Sequence, residues 1–420
     1  MFETAVIDAV VQTVPPGTIL RQYTWDGSID DPNRYDFASS ASRYDQPVRV
    51  LNYLELEGPL QRSGIGTAAA QQRRALARLR EGASTDGGDS GLPVDPADLE
   101  VCADPWDGSL AEVPTQLLRG SVPIVDHDVD VVHCNAIGPG SLAVARAAIH
   151  RDVPLVLHAH VTREDFRESF RGSNTLAGPL GRYLRSFYSQ ADLVCCPSEQ
   201  TKRHLETYPI DAPIESVTNG VDHDSLKGVQ GLREPARNRF DLSADDLVVF
   251  AVGNVFERKG LSTFCRLALQ TPYEYVWFGP YDSGPQASAA VRHWTSNPPP
   301  NVTFTGWIDD KREAFAAGDV FLFPTHAENQ GIAVLEAMAC GTAVVLRDLP
   351  VFREFYTDGV DCLLCSSERE FRDALERLAA NPGLRERLGD AARETAAEHR
   401  LERVGERLLE VYGRVCDNGS

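Results

Sequence analysis

Short apolar segments alternate with helical segments in two separate series along this chain. The first series begins at Val48 and contains the segments VRVLNYLELE, LEVCA, DVVHCN, PLVLHAH and DLVCCPS. The second begins near Asp246 and contains DLVVFAVGN, YEYVWFG, NVTFTG, DVFLFP and TAVVLRD. Strands that alternate with helices form parallel sheets joined by right-handed crossovers. The pattern therefore predicts an α/β fold of two doubly wound domains that face each other across a cleft.

The segments outside the two series set the predicted domain boundaries. Residues 1–46 are rich in Asp, Ser, Tyr and Pro and are predicted to be an N-terminal extension. A polar joint divides the remainder into an N-terminal domain over 47–217 and a C-terminal domain over 218–395. Residues 396–420 are predicted to form a C-terminal helix, which is a candidate for crossing back to the N-terminal domain.

Acidic residues outnumber basic ones by 61 to 41, so the net charge at pH 7 is −20. This charge argues against nucleic acid as a partner, because proteins that bind its phosphates need a basic face. Only four basic residues are lysines, namely Lys202, Lys227, Lys259 and Lys311. A lysine-poor acidic chain indicates adaptation to a salty, halophilic cytoplasm, where ions screen self-repulsion. A GC-rich genome that happens to encode an acidic protein is the alternative.

Several features indicate a cytoplasmic chain. No apolar run approaches the roughly 20 residues that a membrane-spanning helix needs. The start, MFETAVIDAVVQTV, has no basic region and carries acids within its apolar stretch, so no signal peptide is expected. The nine cysteines are scattered, and the lone C-x-x-C at Cys362 and Cys365 is weak evidence for a metal. We therefore predict no metal site.

The segment from Phe321 to Glu354 is the richest in candidate chemistry. A buried strand is predicted to end at Pro324, and a polar loop then leads into a helix near Gly331. Ligands of open α/β sheets bind at the carboxyl ends of strands, and helix N-termini attract anions. Glu328 lies in this loop and Glu336 lies in the helix among apolar residues, so both are predicted to face one elongated ligand. The alternative is that both are solvated charges.

A second candidate segment, VGNVFERKGLSTF, follows the first strand of the C-terminal series. Arg258 and Lys259 stand before Gly260, where a helix is predicted to begin. Two cations at this position are suited to clamp a diphosphate, with backbone amides assisting. The alternative is a solvated pair beside Glu257.

The N-terminal series offers two further candidates. A glycine-rich turn, SGIGT, follows its first strand and contains Gly66, whose backbone is predicted to approach a phosphate or the acceptor. A simple tight turn is the alternative. His160 ends the strand PLVLHAH, whereas His158 on the same strand is a candidate core histidine. His133 ends a neighbouring strand. It is equally a candidate for lining the cleft and for packing in the core.

The combination of motifs resembles the retaining family 4 glycosyltransferases with the GT-B fold. The resemblance runs from about Val48 to the C-terminus. It rests on G-x-x-x-E-R-K-G at 253–260 and on E-x7-E followed by E-A-M-A-C-G-T-A-V-V at 328–345. The pieces SGIGT, DVVHCN, LHAH, CPSEQTKRHL and TNGVD follow in the family's order. FERKG, YVWFG, ENQGIAVLEA and VVLRDLPVFRE resemble members that glycosylate diacylglycerol-type membrane lipids.

The resemblance implies roles for the charged residues. Glu336 is expected to hold the ribose hydroxyls of the nucleotide, and Glu328 is expected to contact the donor sugar beside the reacting carbon. Arg258 and Lys259 are expected to neutralise the diphosphate leaving group, which stabilises the transition state more than the ground state. Such cations stand in for a metal. His160 is expected to lie against the reaction centre.

The resemblance also implies roles for backbone groups of the donor site. Amides of three consecutive residues are expected to meet the sugar hydroxyls and the distal phosphate: Gln330, Gly331 and Ile332. Asn254 stands where the family usually has an arginine, so the identity of the main phosphate-binding arginine is open. Gln330 stands where many members have phenylalanine, which leaves the choice of donor sugar open.

The predicted reaction moves a hexose from a nucleotide diphosphate sugar, with UDP favoured, to a hydroxyl acceptor with retention at the anomeric carbon. The leaving phosphate is expected to help deprotonate the acceptor in a front-side displacement, and no cofactor is expected. The favoured acceptor is a membrane lipid or a polyprenyl-linked glycan. A GT-B sugar-nucleotide epimerase and a non-catalytic sugar-nucleotide-binding protein are the alternatives.

The stretch 163–187 alternates arginines with bulky apolar residues and is locally basic in an acidic chain. This alternation predicts a peripheral contact with the inner face of a membrane. Three phenylalanines are expected to supply most of the attachment: Phe166, Phe170 and Phe187. The alternative is an ordinary helix whose apolar face packs on the core.

Overall fold

A computed structural model describes residues 48–55, 60, 63–86, 92–102, 128–166, 173–284 and 287–418. The predicted extension over 1–46 lies outside the described residues. Within them the chain forms two six-stranded sheets, in which every strand pair is parallel. The α/β architecture predicted from the two series of strands is confirmed.

The N-terminal sheet has the strand order β2-β1-β3-β4-β5-β6. Its strands are β1 (Val48–Tyr53), β2 (Leu99–Cys102), β3 (Val131–Cys134), β4 (Leu155–His158), β5 (Leu193–Cys196) and β6 (Ile214–Ser216). The helices of this half are α1 (Gly64–Asp86), α2 (Pro139–His150), α3 (Arg163–Phe166), α4 (Ser173–Tyr188) and α5 (Glu199–Leu205).

The C-terminal sheet has the strand order β12-β11-β10-β7-β8-β9. Its strands are β7 (Val248–Val252), β8 (Glu274–Phe278), β9 (Val302–Gly306), β10 (Val320–Phe323), β11 (Ala343–Arg347) and β12 (Leu363–Cys365). Its helices are α6 (Arg233–Arg239), α7 (Leu261–Ala268), α8 (Ala289–Ser296), α9 (Arg312–Ala317), α10 (Ile332–Ala339), α11 (Pro350–Phe355), α12 (Glu368–Ala380) and α13 (Pro382–Ala397).

Four central strands are buried along their whole length, which is why their sequences are mostly apolar. Every residue of β3, β4, β5 and β10 is buried. Parallel sheets carry helices on both faces, so both sides of each strand must be apolar. In each half the carboxyl ends of the strands consequently meet at one edge, where polar loops begin.

The last helix, α14 (Leu401–Asn418), belongs to the N-terminal half by its packing. Val404, Leu408 and Tyr412 are fully buried in one cluster with Val50 and Val131 of the N-terminal sheet. The helix also lies close along α1, because a Cβ on Gly405 would meet the carbonyl oxygen of Ala75 at 2.9 Å. The chain therefore returns from its second half to cover the first.

The apolar residues of the stretch 163–187 face inward. Phe166 and Phe187 are 4% and 1% exposed, and both pack in the core of the N-terminal half with Leu184. The prediction that these two phenylalanines attach the chain to a membrane is therefore wrong, because their apolar area is already buried by the sheet. Phe170 lies outside the described residues. No described helix is both long and apolar enough to cross a bilayer.

Candidate active site

The loop between β10 and α10 carries the predicted donor-binding glutamates. Gly331 has a φ of 86°, and this left-handed conformation turns the loop directly into the helix that starts at Ile332. Glu328 lies in the loop, and Glu336 lies in the second turn of the helix with 5% of its surface exposed. The burial of Glu336 excludes the alternative of a solvated helix charge.

Lys259 pairs directly with Glu328. The Lys259 ammonium donates to the Glu328 carboxylate, and the Arg258 guanidinium donates to the carbonyl oxygen of Ala327 at 2.8 Å. Burial alone would raise the pKa of Glu328, but the positive charges of Lys259 and Arg258 overcome this effect and hold the pKa below its ordinary value. The glutamate is therefore ionised at neutral pH, and both cations stand beside it.

A glycine permits the close approach of these two loops. Gly260 has a φ of 83°, and a Cβ on it would lie 2.3 Å from the carbonyl oxygen of Pro324. The amide of His326 donates to the carbonyl oxygen of Arg258 at 2.7 Å across the same junction. Any side chain at position 260 would separate the Arg258–Lys259 segment from the Glu328 loop.

Glu336 has a lysine partner that sequence reasoning missed. The ammonium of Lys311, the residue before α9, lies 2.5 Å from Oε1 of Glu336. The sequence carried one signal of this pair, because Lys311 is one of only four lysines in the chain. Both glutamates of the E-x7-E motif are thus paired with a lysine.

The remaining predicted donor residues have different surroundings. The carboxamide of Gln330 is buried, donates to the hydroxyl of Thr218 and accepts from the amide of Asn219 at 2.8 Å. Its side chain therefore fastens the joint between the two halves. Asn254 lies in the loop after β7 and is partly exposed. Ile332 is the first residue of α10.

On the N-terminal side, His160 follows β4 at the edge of the cleft. Its ring stacks on that of His158 with 4.1 Å between centroids, and Nε2 donates to Oδ1 of Asn135 at 3.1 Å. His158 stacks in turn on His133 at 5.4 Å. Burial lowers the pKa of both His160 and His133 to about 3, so these rings are neutral at physiological pH.

Hydrogen bonds continue from His160 into the core of the N-terminal half. The carboxamide of Asn135 donates to Asn52 at 3.2 Å, and Asn52 donates to Gln72 at 3.0 Å. The carboxamide nitrogen of Gln72 lies 3.0 Å from Nδ1 of His158. Sequence reasoning missed these amides, since an isolated Asn or Gln carries no pattern that separates a buried role from a surface one.

His133 belongs to the core and not to the cleft. It is fully buried, and its Nδ1 is hydrogen-bonded to the hydroxyl of Tyr412 on α14 at 2.8 Å. Its other nitrogen lies 3.3 Å from Nδ1 of His158. The open alternatives for His133 are thereby resolved in favour of packing, because no face of the ring is left for a ligand.

The two halves meet at Asn329, the residue after Glu328. Its carboxamide donates to the carbonyl oxygen of His160 at 3.1 Å and accepts from the hydroxyl of Thr201 at 3.2 Å. This contact brings the predicted residues Glu328, Lys259, Arg258 and His160 to one place from two sheets. Sequence reasoning also missed Asn329, although it lies within the E-x7-E motif.

The backbone of Gly66, predicted to approach a phosphate or the acceptor, already has a partner for its amide. Its backbone N–H donates to the hydroxyl of Ser63 at 3.1 Å, and Ser63 thereby caps the N-terminus of α1. A phosphate would have to displace this cap. Across the described segments, no group of three or more His, Cys, Asp or Glu side chains is arranged to hold a metal ion. The metal-free prediction remains open to experiment.

Two family profiles match the chain, one in each half. Residues 94–225 match the family described as Glycosyltransferase Family 4, and residues 246–381 match the family described as Glycosyl transferases group 1. A processive diacylglycerol alpha-glucosyltransferase of Acholeplasma laidlawii is 27% identical over 88% of this chain and 98% of its own length. An alpha-galactosylglucosyldiacylglycerol synthase of Streptococcus pneumoniae is 29% identical over 54% of this chain and 63% of its own length.

Solved structures share the fold at low sequence identity. HepE of Anabaena, in complex with UDP and glucose, superposes with a TM-score of 0.68 over 87% of this chain and 99% of its own, at 16% identity. A sucrose-phosphate synthase of Thermosynechococcus elongatus gives a TM-score of 0.70 over 89% of this chain and all of its own, at 18% identity. These likenesses confirm the predicted architecture of two facing Rossmann-like domains.

Proposed function

We propose that this chain, which belongs to the group 1 and family 4 glycosyltransferases of the GT-B fold, transfers a hexose from UDP-hexose to a diacylglycerol-type lipid with retention at the anomeric carbon. The similarity to a diacylglycerol alpha-glucosyltransferase along nearly the whole chain supports a lipid acceptor and favours glucose. The complexes of HepE with UDP and glucose support a uridine donor.

The observation that carries the proposal is the meeting of Lys259, Glu328 and His160. The ion pair of Lys259 with Glu328 stands next to Asn329, which bonds to the backbone of His160 in the other half. A transferase needs cations at a leaving diphosphate and a polar surface opposite for the acceptor, with water kept out between them. The contact joins these two elements.

The chemistry proposed for the site follows from its charges. When the donor enters, its diphosphate competes with Glu328 for the ammonium of Lys259, and Arg258 stands beside it as a second cation. The negative charge that grows on the leaving phosphate is then stabilised by both cations. Glu328 is ionised, so it stabilises positive charge developing at the anomeric carbon. The leaving phosphate takes the proton of the acceptor hydroxyl on the same face.

The decisive experiment offers several nucleotide sugars with and without diacylglycerol vesicles. We expect release of UDP from UDP-glucose that depends on the lipid, and an α-glycosidic product by NMR. Release that depends instead on a soluble polyol phosphate would move the acceptor out of the lipid class. An inverted, β-linked product would contradict retention.

We further propose that the chain acts at the inner membrane face through arginines alone, from the cytoplasm. Arg182 and Arg185 lie on the exposed side of α4, whereas its apolar side packs inward. Attachment by charge should fail as salt rises, because ions screen exposed charges. Co-sedimentation with anionic vesicles should occur at low salt and be lost at molar salt; binding unaffected by salt would contradict an electrostatic contact.

The acidic, lysine-poor composition supports a proposal of salt adaptation. With a net charge of −20, the folded chain repels itself, and added salt relieves this repulsion. Thermal unfolding in rising KCl should move to higher temperature. If the melting temperature stays constant between low and molar KCl, the composition has another origin.

A further inference from the structure

Lys311 and Glu336 form an ion pair inside the C-terminal half. The ammonium lies 2.5 Å from Oε1 of the carboxylate, whose side chain is 7% exposed, whereas the lysine side chain is 36% exposed. Among the residues that the structure describes, Oε2 of Glu336 makes no hydrogen bond with a protein group. A buried carboxylate with one engaged oxygen and one open oxygen is thus held at the carboxyl edge of the sheet.

The residue type at position 311 is lysine and not arginine, and the two bind a carboxylate differently. The chain has 41 basic residues, of which four are lysines, yet both glutamates of the E-x7-E motif are paired with a lysine. An arginine binds a carboxylate through two parallel hydrogen bonds and occupies both oxygens. A lysine ammonium is a point charge that engages one oxygen. In the Lys311–Glu336 pair, the lysine therefore neutralises the glutamate and leaves its second oxygen for a ligand, whereas the second oxygen of Glu328 accepts from the amide of Asn329 at 3.2 Å.

We propose that Lys311 is a positioning residue of the donor site, which holds the Glu336 carboxylate turned so that Oε2 accepts from the ribose hydroxyls. This inference rests on the proposed function, since it takes a nucleotide as the ligand. Lys311 itself need not touch the nucleotide. Its effect is to fix one oxygen of the carboxylate, which lowers the entropy lost when the other oxygen binds a hydroxyl.

A purely structural role for the pair makes a different prediction. Lys311 precedes α9 and Glu336 lies in α10, so the pair also ties two helices together. Loss of such a tie would weaken all nucleotides equally. Loss of a positioning residue would weaken only those nucleotides that carry the ribose hydroxyls.

The experiment measures by calorimetry the affinity of UDP and of 2′,3′-dideoxyuridine diphosphate. The wild type should prefer UDP by about tenfold or more, the cost of leaving Oε2 unpaired. In Lys311→Met this preference should shrink by about fivefold, while the affinity for the dideoxy nucleotide changes by less than about twofold. Lys311→Arg, which keeps the charge, should also lose preference because its fork covers both oxygens.

The controls distinguish a positioning role of Lys311 from a purely structural one. Lys227→Met removes an exposed lysine that pairs with Asp224 and should keep the full preference. Equal weakening of both nucleotides in Lys311→Met and Lys311→Arg, or no weakening in either, overturns the role of Lys311. If the wild type binds neither nucleotide, the proposed function fails instead. If Glu336→Gln keeps the wild-type preference, the ribose does not meet Glu336, and the inference fails although the donor site stands.

Discussion

The carboxyl edges of the two sheets face each other, but they are built from opposite kinds of polar group. The C-terminal edge is ionic, with Lys259 on Glu328 and Lys311 on Glu336. Around His160 the N-terminal edge is neutral, with stacked imidazoles joined by the carboxamides of Asn and Gln side chains. The same strand–loop–helix geometry therefore supports two different chemistries.

The difference matches what each half is proposed to bind. A diphosphate is negatively charged, so the C-terminal half needs cations that can exchange a glutamate partner for the phosphate oxygens. A hydroxyl acceptor carries no charge, and a cation near it would attract the diphosphate to the wrong side. Asn52, His133 and Asn135 are at most 1% exposed, so their hydrogen bonds are fixed before any ligand arrives. We infer that the ionic half exchanges partners during the reaction, whereas the neutral half is preorganised.

The largest expected effect is a loss of turnover when a cation is removed from the ionic, C-terminal edge. Lys259→Ala removes the cation that is proposed to stabilise the leaving diphosphate, and the turnover number should fall by about 100-fold or more. Steady-state kinetics with UDP-glucose measures this, and Lys227→Ala is the matched control. Activity should survive a chelator. Near-normal turnover in Lys259→Ala, or activity that a chelator removes and a metal restores, would contradict the proposed role of the lysine.

The second prediction puts a charge into the neutral half. In Asn135→Asp a carboxylate accepts from His160, which should raise the pKa of that ring from about 3 by roughly two units. Above the raised pKa the ring is neutral and activity persists, whereas below it the imidazolium forms. The rate should then fall by about tenfold per pH unit. The pH profile of kcat/KM tests this.

The neutral substitution Asn135→Ser is the control for that profile. It also removes the carboxamide but adds no charge, so no acidic limb should appear. If the aspartate and serine variants show the same profile, His160 is not sensitive to the charge of its partner, and its place at the reacting groups would be in doubt.

The smallest expected effect concerns the contact that holds the two halves together. The carboxylate of Glu354 on α11 accepts from the amides of Glu199 and Gln200 at the start of α5, each at 2.8 Å. Glu354→Gln should weaken this contact by about 1 kcal/mol, since charged hydrogen bonds exceed neutral ones by about that amount. Turnover should fall by roughly fivefold. Because the two halves are then held together less tightly, the radius of gyration measured by solution scattering should increase.

The control is Glu234→Gln, which changes an exposed glutamate on α6 and should alter neither quantity. An unchanged radius in Glu354→Gln would mean that the closed arrangement does not depend on this carboxylate. The two edges would then still be linked through Asn329, whose carboxamide donates to the carbonyl oxygen of His160.

Part of the site could be predicted from sequence because the motifs are local. Glu328, Glu336 and Gly331 fall within nine consecutive residues, so the strand–loop–helix pattern alone places them at one sheet edge. Arg258 and Lys259 follow another strand of the same series and reach the same edge for the same reason. Gly260 marked a turn, although the close approach to Pro324 that requires it lies 64 positions away.

The partners of these residues could not be predicted, because they come from distant parts of the chain. Asn329 meets His160 across 169 positions, and His133 meets Tyr412 across 279. The prediction that Phe166 and Phe187 contact a membrane was wrong for a related reason. Apolar spacing reveals that one side of a helix is buried, but it does not reveal whether a sheet or a membrane buries it.

The sequence by itself determined the two parallel sheets, the position of the loop between β10 and α10 and the identity of the charged residues in and beside it. These follow from hydrophobic periodicity and from short-range motifs, which act over a few residues. The tertiary structure alone decided that Lys311 pairs with Glu336 and that Asn135 orients His160. Those contacts depend on which surfaces come together when the apolar faces are buried. That packing depends on residues from the whole chain, so no short segment predicts it.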